Sequence, residues 1–503
     1  MFRVDASSRM GTGHLMRCLT LADVLAARAV RVRFVSRAQH GNLIELLRER
    51  GKTVDVLAAA EDAPQQVDAE QTVAALRGEC PDWLIVDHYE LDATWERTVR
   101  PHVTKLMVID DVANRPHVCD LLLDQNYSER SAQRYESLLP AECLRVLGPR
   151  YALLRPEYRH FRAAQQPRSG EVRRVLIFFG GSDPQNLTGT ALQALSGAQL
   201  DDLEVDVVIG ANNPHRAALE TQAAARARTA VYGARPHLAD LMAAADLAVG
   251  AGGVTNWERM CLGLPSLVVS IADNQEPGCA ALSAVNLIRY LGTSAQVRAD
   301  DIAQAVRECR ADRQALADLA ARNQLLVDGL GAARVGEHLD PTPTASLQLR
   351  RATAQDMLTY FSWANDPETR RQALRTQQIT LAEHRAWFAA RLASQRSHLF
   401  VLQAGELPVG QIRFDCDGAE ALIDYSIDPA LRGRGWAKHL VAMGIQQLRN
   451  HGLSVFRAEV KVENRPSRAV FERLGFVESA AQPQQQLKTY RFDSSVQRLA
   501  GLS

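Results

Sequence analysis

A histidine beside a glycine loop is the first residue in this chain equipped for chemistry. The segment Ser7-Ser8-Arg9-Met10-Gly11-Thr12-Gly13-His14-Leu15-Met16-Arg17 follows a short β-branched run and opens a helical stretch carrying Leu15, Leu19, Leu21 and Leu25. Glycine lets the chain turn sharply and lets a ligand approach the backbone. A helix start presents unsatisfied N–H groups and a partial positive charge. That field disfavours imidazolium, which suits His14 to the work of a neutral base. The Gly-x-Gly pair also suits an ordinary strand–helix turn. It is not a dinucleotide fingerprint, because the third glycine of that pattern would fall at Met16.

Polar clusters recur where strands are expected to end. Asp87-His88-Tyr89 follows an apolar run from Trp83, Asp110-Asp111 follows a run from Lys105, and Asp124-Gln125-Asn126 follows Leu121 to Leu123. In open parallel sheets, ligands bind outside the carboxyl ends of the strands. Asp87 and Tyr89 therefore join His14 as candidate catalytic groups, with Gly13, Arg17 and Asn126 as candidate substrate contacts. Farther on, Gly180-Gly181-Ser182 follows another strand, and Gly250-Ala251-Gly252-Gly253-Val254-Thr255-Asn256-Trp257-Glu258 opens a helix. Glycines and a hydroxyl at a helix start make a diphosphate cradle that needs neither lysine nor metal. Glu258, one turn on, can accept hydrogen bonds from ribose hydroxyls. Gly181, Ser182, Gly252, Gly253, Thr255, Asn256, Glu258 and Asn274 form the expected ligand set here. Arg17, Arg150 or Arg155 could add positive charge.

A third site type appears near the C-terminus. A strand ending at Ile427 leads to Arg432-Gly433-Arg434-Gly435-Trp436-Ala437 and an amphipathic helix. Successive backbone amides there would wrap a pyrophosphate. The segment Glu463-Asn464-Arg465-Pro466-Ser467-Arg468-Ala469-Val470-Phe471 follows.

The elements that must position these residues alternate. Phe2 to Asp5, Val32 to Ser36, Trp83 to Asp87, Lys105 to Ile109, Arg174 to Phe179, Val205 to Ile209, Leu247 to Gly250 and Ser266 to Ser270 read as strands separated by helices rich in Ala and Leu. Near-continuous apolar strands between helices imply parallel sheets covered on both faces. Two such units fit residues 1–150 and 151–335, joined near Gly148 to Pro156. A linker is expected at 336–346, where Pro341 and Pro343 favour extended chain. Beyond it, strands at Leu347 to Arg350, His398 to Gln403, Gly410 to Asp415 and Ala421 to Ile427, mixed with helices, imply an α+β domain over 347–496.

The chain has 503 residues, 58 Lys plus Arg against 58 Asp plus Glu, and a 46% hydrophobic share. That balance argues against non-specific nucleic-acid binding. The eight cysteines form no Cys-x-x-Cys pair, so they are expected to be thiols of a cytoplasmic protein. No leader or membrane span is expected, since no apolar run approaches the ~18 residues a spanning helix needs.

The runs RVDAS…GTGHLMRCLTLA, IVDHY, IDDVANRPHVCDLLLDQN, FFGGSDPQN and GAGGVTNWERMCLGLP resemble the UDP-2,4-diacetamido-2,4,6-trideoxy-β-L-altropyranose hydrolases of pseudaminic acid synthesis, over residues 1 to about 335. The resemblance implies an α/β fold of two Rossmann-like domains in a GT-B-type arrangement, similar to the glycosyltransferases of peptidoglycan synthesis. It also implies His14 as general base, and UDP held by Gly252, Gly253, Thr255, Asn256 and Glu258. No metal is expected. The motifs R-x-x-G-x-A and N-x-x-S-x-x-x-F-x-x-x-G-F resemble the GCN5-related N-acetyltransferase (GNAT) family over 347 to about 492. That resemblance implies acetyl-CoA as cosubstrate, with Ile427 among its contacts, Arg432, Gly433, Arg434, Gly435, Trp436 and Ala437 at its pyrophosphate and Asn464 and Ser467 at its pantetheine arm. Many members carry a proton-donating tyrosine where this chain has Phe471. Tyr490, Tyr425 and Glu459 are candidates for proton handling instead. A two-step reading follows: N-acetylation of a UDP-4-amino sugar, then release of UDP. A UDP-sugar glycosyltransferase and a non-catalytic nucleotide-sugar sensor are the alternatives.

Overall fold

The structure is a computed structural model that describes residues 1–503 except 8, 61, 198, 341–346, 451, 480–486 and 500–503. The chain forms two compact units, Met1–Pro341 and Thr342–Ser503. Among the described residues no helix is long and apolar enough to cross a membrane.

The first unit begins with a parallel sheet of seven strands: β1 (Phe2–Val4), β2 (Arg33–Arg37), β3 (Thr53–Leu57), β4 (Trp83–Asp87), β5 (Lys105–Ile109), β6 (Leu121–Asp124) and β7 (Leu144–Leu147). Their order is β3-β2-β1-β4-β5-β6-β7. Helix α1 (Gly13–Ala26) follows β1 and buries Leu15, Leu19, Leu21 and Leu25. The second sheet has six strands: β8 (Arg174–Phe178), β9 (Glu204–Val208), β10 (Thr229–Tyr232), β11 (Leu247–Ala251), β12 (Ser266–Ser270) and β13 (Arg289–Thr293). Its order is β10-β9-β8-β11-β12-β13, again parallel. Helix α2 (Thr255–Cys261) follows β11. The central strands bury both faces, as the continuous Leu-Val-Ile runs require.

The expected linker at 336–346 needs correction. Residues 336–339 belong to helix α3 (Gly331–Leu339), which returns to the first sheet and buries Val335 and Leu339 in the core around α1. The Trp83 indole N–H donates to the Leu339 carbonyl at 2.8 Å. A Cβ on Gly331 would sit 2.2 Å from the Ala152 carbonyl oxygen, so only glycine lets α3 approach the crossover this closely. The apolar residues of α3 needed a partner, and that partner lies some three hundred residues earlier in the chain. Residues 341–346 of the expected linker lie outside the described residues.

The second unit holds a mixed sheet of β14 (Leu347–Arg351), β15 (Ser397–Ala404), β16 (Leu407–Asp417), β17 (Glu420–Ile427), β18 (Val455–Lys461), β19 (Val477–Ser479) and β20 (Leu487–Asp493). The order is β14-β15-β16-β17-β18-β20-β19. All described pairings are antiparallel except β17 with β18. Helix α4 (Trp436–Arg449) connects those two strands, as a parallel crossover requires, and α5 (Arg465–Arg473) follows β18.

Candidate functional site

The N-terminal site is built on the carboxyl edge of the first sheet. Gly11 takes a left-handed conformation (φ 81°), and Thr12 precedes the first turn of α1, which places His14 in that turn. Asp87 is the last residue of β4, the strand beside β1. His14 Nδ1 lies 2.6 Å from Asp87 Oδ1. Arg17, one turn farther along α1, donates from Nε to Asp87 Oδ2 and from Nη2 to Asp87 Oδ1, each at 2.6 Å, and from Nη1 to Asp111 Oδ2 at 3.1 Å. Burial alone would raise the Asp87 carboxyl; Arg17 and His14 outweigh it and hold the group well below the usual range. A carboxylate only accepts, so in the neutral ring Nδ1 carries the hydrogen and Nε2 is left as the acceptor nitrogen. Tyr89 packs edge-on against the His14 ring at 4.5 Å. Burial first, and the Asp111 carboxylate next, raise its phenol. His14, Arg17, Asp87 and Tyr89 are thus brought together, with Gly13 exposed beside them.

Asn126 sits in the turn after β6, where its backbone N–H donates to Asp124 Oδ1 at 2.8 Å. Burial pushes the Asp124 carboxyl up to about 6. Beneath the loop after β1 lies a network that sequence reading did not find. Arg3 bridges Asp5 (2.6 Å) and Asp68 (2.5 Å), and all three are fully buried. Arg37 Nε donates to Asp68 at 2.8 Å, and the Trp95 indole N–H donates to Asp68 at 2.7 Å. Asp68 comes from the helix Gln65–Ala75, where its alanine and threonine neighbours give no sign of a charged interior.

In the second sheet, Gly181 and Ser182 follow β8, Gly252 to Glu258 follow β11, and Asn274 follows β12. These strands are adjacent and parallel, so the residues share one carboxyl edge. Gly252 has a packing reason: a Cβ would meet Cys279 Sγ at 2.7 Å. Gly253 is exposed at φ 94°, and Thr255 is half-buried. Burial pushes the Glu258 carboxyl up to about 7, against a hydrogen bond from the Tyr158 hydroxyl. Nothing in the sequence marks Tyr158 for this role. Two expected ligand residues are otherwise engaged. Asn256 is 3% exposed and its Oδ1 accepts from Arg259 at 2.5 Å. Arg155 donates to the Pro236 carbonyl and to Glu157.

In the second unit, β17 and β18 pair from Glu420↔Val455 to Ile423↔Ala458, and no pairing between them is described beyond that point. Both strands continue, β17 to Ile427 and β18 to Lys461. A gap therefore opens, edged by strand backbone. Gly433 (φ 81°) and Gly435 (φ 79°) turn the chain from Ile427 into α4, beside Arg434, Trp436 and Ala437. The Arg432 guanidinium is held by Asp366 Oδ2 (2.5 Å) and Thr369 Oγ1 (2.9 Å), so the loop offers its amides rather than this side chain. Asn464 caps α5, accepting from the Ser467 N–H at 3.1 Å. The Ser467 hydroxyl lies 3.0 Å from the Tyr425 hydroxyl. Tyr490 sits on β20, fully buried and stacked on Phe471, its hydroxyl donating to Glu472 at 2.9 Å and accepting from Arg468 at 3.2 Å. That placement engages it in holding α5 to the sheet. Glu459 lies on β18, 3.6 Å from Arg457.

Residues 346–477 match the family model described as an acetyltransferase (GNAT) domain. The second unit therefore carries a GNAT domain, joined to a two-sheet module related to sugar-nucleotide proteins. That module is similar to the UDP-2,4-diacetamido-2,4,6-trideoxy-beta-L-altropyranose hydrolase of Campylobacter jejuni, 26% identical over 278 residues, covering 55% of this chain and 93% of the relative. An uncharacterized protein of Methanocaldococcus jannaschii is 22% identical over 487 residues, covering 94% of this chain and 95% of its own length. Both parts thus occur together in that relative. Acinetobacter baumannii MurG superposes with a TM-score of 0.51 at 13% identity, over 67% of this chain and 98% of MurG. The fold is mixed α/β: two Rossmann-like domains in a GT-B-type arrangement, followed by a GNAT domain.

Proposed function

We propose that the first unit hydrolyses UDP-2,4-diacetamido-2,4,6-trideoxy-β-L-altrose to UDP and the free sugar, and that the GNAT domain makes its substrate by N4-acetylation of UDP-4-amino-4,6-dideoxy-N-acetyl-β-L-altrosamine from acetyl-CoA. The observation that carries the hydrolytic step is the His14–Asp87 pair locked by Arg17. Asp87 orients the imidazole and favours the tautomer whose Nε2 takes a proton from water as it attacks the anomeric carbon. The leaving diphosphate is stabilised by the glycine-loop amides around Gly252 and Gly253. Glu258 accepts from the ribose. The sugar identity is supported by the relative from C. jejuni.

The test is UDP release from the diacetamido sugar nucleotide with no acceptor and with a chelator present. Wild type is expected to turn over, and His14→Ala to lose about 10²–10⁴-fold in kcat. A folded, UDP-binding wild type that releases no UDP would sink the assignment. The two-domain GT-B-type fold also suits one rival, a UDP-sugar glycosyltransferase; release that depends on an added acceptor would select it.

A further inference from the structure

The acetyltransferase reading leaves one chemical problem unsolved. When an amine attacks a thioester, the C–N bond forms, the C–S bond breaks, and sulfur leaves with the bonding electrons. That thiolate needs a proton. Phe471 has none to give, and the Tyr490 hydroxyl is committed to Glu472 and Arg468 on α5.

The geometry of the gap locates the leaving sulfur. The turn at Gly433 to Ala437 lies just past the C-terminal end of β17, so a pyrophosphate bound to its amides sits at the open end of the gap. A pantetheine arm carries amides that match the exposed strand edge and can lie along it as an added strand would. From Ile427 back to the last pair at Ile423 is four residues, or about 13 Å at strand rise. The thioester end then reaches the closed end of the gap. Tyr425 lies two residues from that end. Its ring meets Phe471 edge-on at 5.8 Å, and its hydroxyl meets Ser467 Oγ at 3.0 Å. Tyr425 comes from one side of the gap and Ser467 from the helix that follows the other side.

We propose that Tyr425 is the proton donor to the departing thiolate of coenzyme A, with Ser467 as the hydroxyl that positions it and returns a proton to it. This rests on the acetyltransferase reading. The phenolic proton passes to sulfur, giving free CoA thiol. The phenolate regains a proton through the Ser467 hydroxyl from solvent, and the acylated nitrogen gives up its extra proton to solvent. Burial pushes the Tyr425 phenol up to about 12, so it is protonated when the acyl donor binds. The Tyr425 ring packs edge-on against Phe471 while its hydroxyl meets Ser467 Oγ.

The binding half of the test needs no sugar, because a hydroxyl aimed at sulfur is felt by CoA itself. Affinities of the full chain for CoA and for desulfo-CoA are measured by calorimetry. Wild type is expected to favour CoA by about 5–10-fold, the worth of one hydrogen bond. Tyr425→Phe should abolish that preference and leave desulfo-CoA binding unchanged, while Ser467→Ala should reduce it partly. In turnover with acetyl-CoA, Tyr425→Phe should lower kcat about 10²-fold or more, with KM for acetyl-CoA unchanged. Equal loss of affinity for both ligands would show a packing role and overturn the proposal, as would a wild type that does not distinguish them. A chain that binds neither ligand would overturn both the proposal and the acetyltransferase reading. A wild type that prefers CoA yet leaves the 4-amino sugar untouched would support Tyr425 and remove only the sugar assignment.

Discussion

Asp87 accepts from Arg17 through both carboxylate oxygens and lies 2.6 Å from the His14 ring nitrogen. Replacing it with an amide leaves the shape but offers His14 one acceptor and two competing donors. Asp87→Asn is therefore expected to lower kcat for UDP release by about 10²–10⁴-fold with little change in UDP affinity. A loss below threefold would show that the pair does not set the tautomer. Glu258 gives a second test at this scale. Its carboxyl is raised from 4.5 to about 7, so the folded state holds its proton more tightly than the unfolded chain. The resulting stability is full below about 4.5 and is lost as pH rises through about 7. Ribose hydroxyls donate best to the carboxylate, so UDP binding near neutral pH should release protons and strengthen with rising pH. Calorimetry in buffers of different ionisation enthalpy would detect this, and Glu258→Gln should abolish it.

Elements decide whether such residues are usable. The loop between β17 and α4 turns at Gly433 and Gly435, both left-handed, where any other residue is strained by about 1–2 kcal/mol. Gly435→Ala is expected to raise KM for acetyl-CoA about tenfold while kcat at saturation changes little; steady-state thiol release measures both. The buried network under the β1 loop belongs to this scale too, because Asp68 reaches from its helix to Arg3 on β1 and Arg37 on β2. Removing one partner from a buried ionic cluster strands the others. Asp68→Ala should cost about 3–5 kcal/mol, read by denaturant unfolding.

Each of the two compact units has its own apolar packing, around α1 and the first sheet and around the strands of the second sheet in one, and around Trp363, Phe388 and Val401 in the other. Chains spanning 1–341 and 342–503 should therefore each fold and each keep its own reaction. A first unit ending at 335 removes residue 339 and the partner of the Trp83 indole. It is expected to melt several degrees below the unit ending at 341, since burying a leucine is worth about 2–3 kcal/mol. Equal melting temperatures would show that the return of α3 contributes nothing.

The amino-acid sequence alone determined the central strands of the two parallel sheets and the loops at their ends. β4, β5 and β12 appear at their observed bounds because their middles are buried on both faces, so an unbroken apolar run lies between their end residues. In the two parallel sheets the strands that were not read, β3, β7, β10 and β13, are the edges; in the second unit β18, β19 and β20 were not read either, and only β19 of these is an edge. One side of each edge strand meets solvent, so polar residues such as Asp55 and Arg145 interrupt the apolar run without breaking the strand. His14, Asp87 and Tyr89 were legible because glycines and strand ends mark them. Tertiary structure alone decided which expected ligands face inward, since Asn256 turns into the packing around Arg259. It also decided that α3 closes on the first sheet, that Asp366 occupies Arg432, and that β17 and β18 part after Ile423. These are contacts between residues far apart in the chain, and local periodicity carries no record of the partner.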